Sequence, residues 1–440
     1  MITVFSRKRA SSLALAVALA TGSAVVATAI FPTEASAQRR KKSENGGYSA
    51  EFRAVYDPIK EAAADPAADL SGYRPQLLQL KALLGTNDEK LAGGSLIYEV
   101  AARMQDQELQ LMGMESMLAS TLVPIEQTGL YNFIAYQLAT GAGDAIKART
   151  YLQAAINYNF TTDTVTAPAL QITLAENYWS NNEFDEGFAA FDNAITQQKA
   201  TGQAVDEQWY RRGLQVAYNN ELEDRTYDVA IRWLKDYTSD FSWRETINIT
   251  RNLNEYTGPE VLDLLRLARM VNALQEEADF EYYVEAADPR RLPQEVSDVI
   301  KEGEAAGVVS PGNLFLTEAL ENATGRIAAD RADLPELERD ASAPDAGLRT
   351  VVAAADTFLN YGDYAKAVSF YERALTMEGV DANKENTRLG IAQVAAGNYD
   401  AAREALSKVS GNRTSIARLW LAYIDIQTEE DKPSLQDLLG

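Results

Sequence analysis

The chain contains no cysteine and no histidine among its 440 residues. Without cysteine it can form no disulfide, carries no thiol nucleophile, and lacks the acylation site that a bacterial lipoprotein needs at its cleavage point. Without histidine it cannot build a Ser-His-Asp or Cys-His catalytic site or a histidine-ligated zinc site. We therefore expect no cofactor, no metal and no lipid anchor, and a fold stabilised by burial of apolar side chains.

Basic residues are also scarce relative to acidic ones. The chain has 41 Lys and Arg against 64 Asp and Glu, a formal net charge of −23. Nucleic-acid binding depends on neutralising phosphates with Lys and Arg, so no nucleic-acid partner is expected. Carboxylates are plentiful, but the sequence singles out no pair at the ~5–10 Å separation that glycosidases use. A Gly-rich phosphate loop is absent too. We predict that the protein is not an enzyme.

The first 37 residues have the pattern of a secretory signal. A basic start precedes the apolar stretch Ala10–Phe31, and Ala35-Ser36-Ala37 forms a small-residue cleavage motif. We expect cleavage after Ala37 and a periplasmic or secreted protein. The alternative is an uncleaved membrane anchor, because the apolar stretch is just long enough to span a bilayer.

A basic segment follows the predicted cleavage site. Arg39-Arg40-Lys41-Lys42 lies within a polar stretch, residues 38–47, that we expect to be disordered. The four charges belong either to a solvated tail or to an electrostatic contact with lipid or an acidic polymer.

Alternating strand-like patterns are scarce, and apolar residues recur at helical spacing instead. Gly362–Ala367 is repeated as Gly397–Ala402, 35 residues later. Such a step, with small, turn and aromatic positions, is typical of stacked helical hairpins. Small residues let two antiparallel helices approach closely, and Gly permits the turn between them. The structural repeat positions that we assign are Ala148, Gly187, Ala230, Gly362, Tyr364, Ala367, Tyr371, Gly390, Gly397, Tyr399 and Ala402.

One copy of the pattern starts at Leu348 and another at Asn383. The first places small and aromatic residues at Ala355, Phe358, Gly362, Tyr364, Ala367, Tyr371 and Ala374. This spacing resembles the tetratricopeptide repeat, although the signature Trp and the closing Pro are missing. The chain as a whole resembles uncharacterised secreted bacterial proteins of that family. The resemblance implies an all-α solenoid, a right-handed superhelix of antiparallel helix hairpins.

The predicted domain organisation has five segments. These are a signal peptide at 1–37, a disordered basic tail at 38–47, an N-terminal stack of degenerate helical repeats at 48–332, a linker at 333–347, and C-terminal repeats with a capping helix at 348–440. The repeat step is irregular in the N-terminal stack. We expect the additional residues of the longer steps to form extra loops near Tyr158–Thr166 and Glu221–Thr226.

The resemblance also implies a binding groove lined by the first helix of each hairpin. The matching positions here are Arg349, Asp356, Asn360, Lys384 and Arg388. Some family members grip the terminal carboxylate of a peptide with a Lys and an Arg four residues apart, and Lys384 and Arg388 match those two places. The preceding repeat departs from that clamp at Ala353 and Asp356. The alternative is that Lys384 and Arg388 are ordinary exposed charges.

The predicted function is that of an exported scaffold or adaptor that binds protein or peptide partners in the bacterial envelope. Two alternatives remain open at this point. One is recognition of a glycan or cell-wall polymer. The other, from a different functional class, is a cell-wall-lytic or glycan-cleaving enzyme.

Overall fold

The computed structural model describes residues 47–430 of the chain. The predicted signal at 1–37, the predicted tail except for Gly47, and residues 431–440 lie outside the described residues. Between residues 47 and 430 the chain forms twenty α-helices and two short 3-10 helices, with no β-strand. The predicted all-α class is confirmed. On either side of residue 205, successive helices pack on one another as antiparallel hairpins, which is the architecture of an α-solenoid.

The chain divides after Val205 into two compact units. The helices of the N-terminal unit are α1 (Ala50–Ala63), α2 (Arg74–Ala82), α3 (Asn87–Arg103), α4 (Gln107–Leu118), α5 (Ile125–Gly141), α6 (Ala145–Asn157), α7 (Ala167–Ser180) and α8 (Phe184–Ala200). Those of the C-terminal unit begin with α9 (Glu207–Asn219), α10 (Glu223–Asp236), α11 (Asp240–Leu253), α12 (Gly258–Met270), α13 (Glu277–Ala287) and α14 (Pro293–Ala305). They continue with α15 (Leu314–Ser342), α16 (Leu348–Asn360), α17 (Tyr364–Leu375), α18 (Ala382–Ala395), α19 (Tyr399–Leu406) and α20 (Thr414–Glu430).

Six of the hairpin turns share one backbone feature. Each of the six has a residue with positive φ, a conformation that glycine adopts without steric cost and that Asn tolerates. The turn residues, in chain order, are Gln105, Gly143, Asn182, Glu221, Gly362 and Gly397. In three of these hairpins the next residue is an Asp whose side chain accepts a hydrogen bond from the first turn of the second helix, as Asp363 does from Lys366 N. The turn therefore ends one helix and caps the next.

Small residues lie where the two helices of a hairpin cross. A Cβ added to Gly187 would lie 2.3 Å from Cδ1 of Trp179, and one added to Gly113 would lie 2.6 Å from the backbone N of Tyr98. The predicted small positions of the second helices are buried as well: Ala148, Gly187, Ala230, Ala367 and Ala402. Close crossing requires small side chains because larger ones would hold the two helix axes apart.

One helix of the C-terminal unit, α12, is enclosed by others, and we call it the central helix. Every side chain from Val261 to Ala268 is buried. A helix that is apolar on all sides must be covered on all sides, and α13, α18 and α20 pack against it. Ile391 of α18 and Trp420 of α20 belong to the same hydrophobic core. The last described helix also returns to the start of the unit, where Asp425 pairs with Lys235 at 2.8 Å.

The predicted linker at 333–347 differs from the structure. Its first ten residues are the end of α15, a 29-residue helix that we call the long helix. Pro335 lies inside that helix at an exposed position, while Leu334 and Leu337 pack against the hydrophobic cluster of α16 and α17. This packing continues the helix past a residue that usually ends one. Only residues 343–347 connect α15 to α16.

The two predicted extra loops have different outcomes. Residues 158–166 do connect α6 to α7. The segment 221–226 instead contains the hairpin turn and the start of α10, so it adds no loop. The extra residues lie at 201–206, between α8 and α9.

Candidate functional site

The inner face of the C-terminal hairpins is the surface on which the repeat resemblance implies a binding groove. In a stack of hairpins this face is built from the first helices, here α16 and α18, together with α20. The central helix covers α18 and α20 on this side. The indole N–H of Trp420 donates to the backbone carbonyl of Asp263 at 3.1 Å, and Asn412 donates to the carbonyl of Glu255 just before the central helix. The part of the face formed by α18 and α20 is therefore covered by a helix of the same chain.

Asp263 carries the negative charge at the middle of this contact, and its side chain is fully buried. One carboxylate oxygen accepts from Arg413 at 2.6 Å, and the other accepts from Arg266 at 2.9 Å. Arg388 Nε lies 3.4 Å from the latter oxygen. Two of these arginines come from the repeats and one from the central helix itself, so the carboxylate joins the two parts of the unit.

The charges extend outward from Asp263 in two directions. Arg266 binds Glu295 of α14 through two hydrogen bonds, at 2.8 and 2.7 Å, and Tyr283 donates to the same carboxylate at 2.6 Å. On the other side, Arg388 donates to both oxygens of Asp356, at 2.7 and 2.6 Å.

Tyr371 also donates to Asp356, at 2.7 Å. We call the six charged side chains the ion network: Asp263, Arg266, Glu295, Asp356, Arg388 and Arg413. Three carboxylates balance three guanidinium groups, as buried charges must be balanced.

The pKa shifts follow from this pairing. Burial alone would raise the pKa of Asp263, but the guanidinium groups of Arg388, Arg266 and Arg413 outweigh burial and hold that pKa below its ordinary value. Burial would likewise raise the pKa of Glu295, and Arg266 reverses the effect. Both carboxylates are thus ionised and paired at neutral pH. Neither is a candidate general acid, because such a group needs a raised pKa and access to a substrate.

The predicted peptide-binding residues lie in different surroundings. Arg349 is exposed, whereas Asn360 is 6% exposed and its side-chain oxygen accepts from the backbone N of Glu295 at 2.9 Å. Asp356 and Arg388 are brought together as a direct ion pair in the ion network. Lys384 pairs with the neighbouring Glu385 at 3.1 Å.

Lys384 and Arg388 are therefore bonded to different carboxylates of this chain. Arg388 is only 2% exposed, so it is not an ordinary surface charge. A peptide carboxylate would have to compete with Asp356 and Asp263 for it. The role of these residues in peptide binding stays a prediction.

Sequence reasoning missed the partners on the other side of the contact, namely Asp263, Arg266, Glu295 and Arg413. A signal for two of them was available in residues 261–268, where Asp263 and Arg266 are the charged members of an otherwise apolar run. A helix with no polar face must be buried, and charges inside it must be paired. Arg413 carries no such signal, because it lies in a short 3-10 helix between α19 and α20.

Comparison with known proteins gives one result for this region. Residues 348–380 match the tetratricopeptide repeat family. The chain carries a tetratricopeptide repeat. The match starts at Leu348, where the sequence pattern placed the first copy, and it covers α16, α17 and the loop after them. A search of curated proteins found no match.

Two further findings concern the described residues. Within 47–430, no group of three or more Asp or Glu side chains is arranged to hold a metal ion. None of the helices in that same range is long and apolar enough to cross a membrane.

Proposed function

We propose that this protein is an exported scaffold that binds a protein or peptide partner in the bacterial envelope. The observation that carries the proposal is the tetratricopeptide repeat at 348–380 within a stack of hairpins, because stacked hairpins present extended surfaces for partners. The export part rests on the signal pattern of residues 1–37.

The central helix affects where a partner can bind. It packs against α18 and α20 on the inner face of the C-terminal hairpins and is bonded there through the ion network. A partner that used this face would have to displace a helix whose leucines are fully buried, such as Leu262 and Leu264. We therefore expect a partner to bind elsewhere.

The first helices of the N-terminal unit offer such a place. Asp356, six residues before the turn residue Gly362, belongs to the ion network in the C-terminal unit. The corresponding residues before the turns at Gln105 and Gly143 are Glu99 and Gln137, and both are exposed. At the third such turn of this unit, Asn182, the corresponding residue is the half-buried Glu176. The position thus faces solvent in two of these three N-terminal hairpins, which supports placing the partner there.

The test begins with the full chain. Cross-linked capture from envelope extract of the source organism, followed by reconstitution with the purified partner, should give a saturable complex. A Glu99→Lys, Gln137→Lys variant should bind that partner more weakly. Glu186→Lys, an exposed change on the second helix α8, is the matched control and should bind normally. Equal binding by all three proteins would contradict the assigned face.

Two observations would contradict the proposed function itself. One is sedimentation with a cell-wall polysaccharide while no protein partner can be reconstituted. The other is clearing of a cell-wall suspension by the purified chain. Export is tested separately, by N-terminal sequencing of the protein from fractionated cells. A mature start at Gln38 is expected, and an intact N-terminus in the cytoplasmic fraction would contradict it.

A further inference from the structure

The long helix begins with two exposed apolar residues. Leu314 is 77% exposed and Phe315 is 48% exposed. Other large apolar side chains are exposed among residues 47–430, including Ile125 and Ile146, but these two are the only neighbours in sequence. Single exposed apolar residues are normal on a soluble protein, whereas adjacent ones form the start of a patch.

The opposite side of the same helix is packed. Leu316 and Ala323 are fully buried, and Ala319 is 5% exposed, all within the core of the C-terminal unit. Leu314 and Phe315 therefore lie on the outer face. That face continues along the helix to Gly325, where an added Cβ would meet no atom within 4 Å. The outer face of residues 314–325 thus has an apolar start and room for another chain to approach closely.

Carboxylates contact the residues just before the apolar pair. The side chain of Glu281 accepts from the side-chain amide of Asn313 at 2.6 Å, and that of Glu277 accepts from the backbone N of Ser310 at 2.8 Å. Both come from α13, which carries four acidic residues and no Lys or Arg. Glu318 follows Leu314 by one helical turn, and residues 302–325 also contain no Lys or Arg. Acidic side chains of α13 and of the long helix therefore make the edge of the patch negative, and hydrogen bonds connect α13 to the start of the long helix.

We propose that the outer face of residues 314–325 is a docking surface for an amphipathic helix of a partner protein, whose large apolar side chains are flanked by Lys or Arg. The apolar side chains of such a helix would remove Leu314 and Phe315 from water. Its cations would pair with Glu277, Glu281 and Glu318 across the edge of the contact. This inference rests on the proposed scaffold function and adds a second surface and the chemistry of its partner.

A defined peptide provides the test. The probe is a fluorescent 14-residue amphipathic helix of Leu and Lys. Two comparison peptides replace Lys by Glu, or Leu by Ser. The full chain should bind the Leu–Lys peptide much more tightly than either comparison peptide. Equal binding of the Ser peptide would overturn the proposal, since charge alone would then account for the affinity of this acidic chain.

Substitutions test whether the Leu–Lys peptide binds at the outer face of residues 314–325. Leu314→Ser, Phe315→Ser should weaken binding of the Leu–Lys peptide by at least about tenfold, or ~1.4 kcal/mol. Ile125→Ser, Ile146→Ser is the matched control, because it removes two isoleucines that are 75% and 71% exposed at the starts of α5 and α6. It should bind as the unchanged protein does. A loss of binding in the control, or none in the Leu314 and Phe315 variant, would overturn the proposal.

A charge variant tests the edge of the surface. Glu318→Lys, Glu321→Lys should weaken binding and reduce its dependence on salt, whereas Glu404→Lys, on an exposed side chain of α19, should change neither. All variants alter exposed positions, and unchanged thermal unfolding would show that they fold. An unchanged affinity in the Glu318 and Glu321 variant would overturn the charge requirement.

Three other results separate the proposed partner from a second copy of the chain, and the docking surface from the scaffold function. If the unchanged protein self-associates in sedimentation experiments and the Leu314 and Phe315 variant does not, the occupant is a second copy and the proposed partner is wrong. If the captured native partner binds that variant normally, the docking surface fails but the scaffold function stands. If the peptide binds here and no native partner can be reconstituted, the scaffold function fails instead.

Discussion

Arg413 and Asp263 form a buried ion pair at 2.6 Å although they are 150 residues apart in the chain. The pair connects the segment between the last two hairpin helices to the middle of the central helix. It joins the central helix to the repeats, because the carboxylate is satisfied by arginines from both parts of the unit.

The first prediction concerns Asp263. Asp263→Ala should lower the free energy of unfolding of the C-terminal unit by about 3–5 kcal/mol, since it leaves Arg413, Arg266 and Arg388 with one buried partner fewer. Urea unfolding followed by hydrogen exchange of peptides from each unit measures the effect. Glu404→Ala is the control, because its ion pair with Lys408 is exposed and screened by solvent, so its loss should change stability little. Equal effects of the two changes would show that the ion network does not stabilise the unit.

The second prediction uses two glycines in helices. Gly113→Ala places a Cβ 2.6 Å from the backbone N of Tyr98, and the backbone of α3 cannot yield as a flexible side chain could. We expect a loss of about 1–3 kcal/mol in the stability of the N-terminal unit. Gly325→Ala, inside the long helix with open space around it, should instead raise stability by about 0.5–1 kcal/mol. Thermal unfolding of both variants checks the pair, and a stable Gly113→Ala protein would contradict the described helix crossing.

The third prediction concerns Glu89 and acid. Burial would raise the pKa of Glu89, but hydrogen bonds from the backbone N–H groups of Ser49, Thr86 and Gly85 outweigh it and lower the pKa to about 2. A folded pKa below the ordinary 4.5 means that the stabilisation is present above pH 4.5 and is lost as the pH falls toward 2. Glu89→Gln should cost about 1–3 kcal/mol at pH 7.

As the pH falls from 7 toward 2, the Glu89→Gln variant should also lose less stability than the unchanged protein. Denaturant unfolding at several pH values between 2 and 7, with hydrogen exchange of peptides from α1 and α3, measures both effects. Identical pH profiles for the two proteins would contradict the assigned role of the three N–H groups.

The fourth prediction concerns Glu385, whose pKa is raised by the fold, whereas that of Glu89 is lowered. Glu385 is 2% exposed, one of its carboxylate oxygens has no hydrogen-bond partner, and burial raises its pKa despite Lys384. The folded state therefore binds this proton more tightly than the unfolded chain, so its contribution to stability falls as the pH rises above 4.5 through the folded pKa. Glu385→Gln should stabilise the C-terminal unit at pH 7 by about 1 kcal/mol. Denaturant unfolding is the measurement, Glu404→Gln is the neutral control, and a destabilised Glu385→Gln protein would contradict the prediction.

Local patterns explain which parts could be predicted. Gly362 and Gly397 both have positive φ, and Ala367 and Ala402 are both fully buried at hairpin crossings. Turn chemistry and small-residue spacing are properties of short segments, so they can be read without the rest of the chain. Two prolines and many acidic or small residues in 333–347 favour a linker, but the packing of Leu334 and Leu337 outweighs the tendency of Pro335 to end a helix.

The amino-acid sequence by itself determined the all-α class, the hairpins and the repeat that starts at Leu348, because these depend on residues within one or two turns of each other. Only the tertiary structure decided that Arg388 would bond to Asp356 and face Asp263 instead of standing free on an open face. Long-range pairing of this kind depends on which helix fills a given space, and neither helix propensity nor repeat spacing encodes that choice.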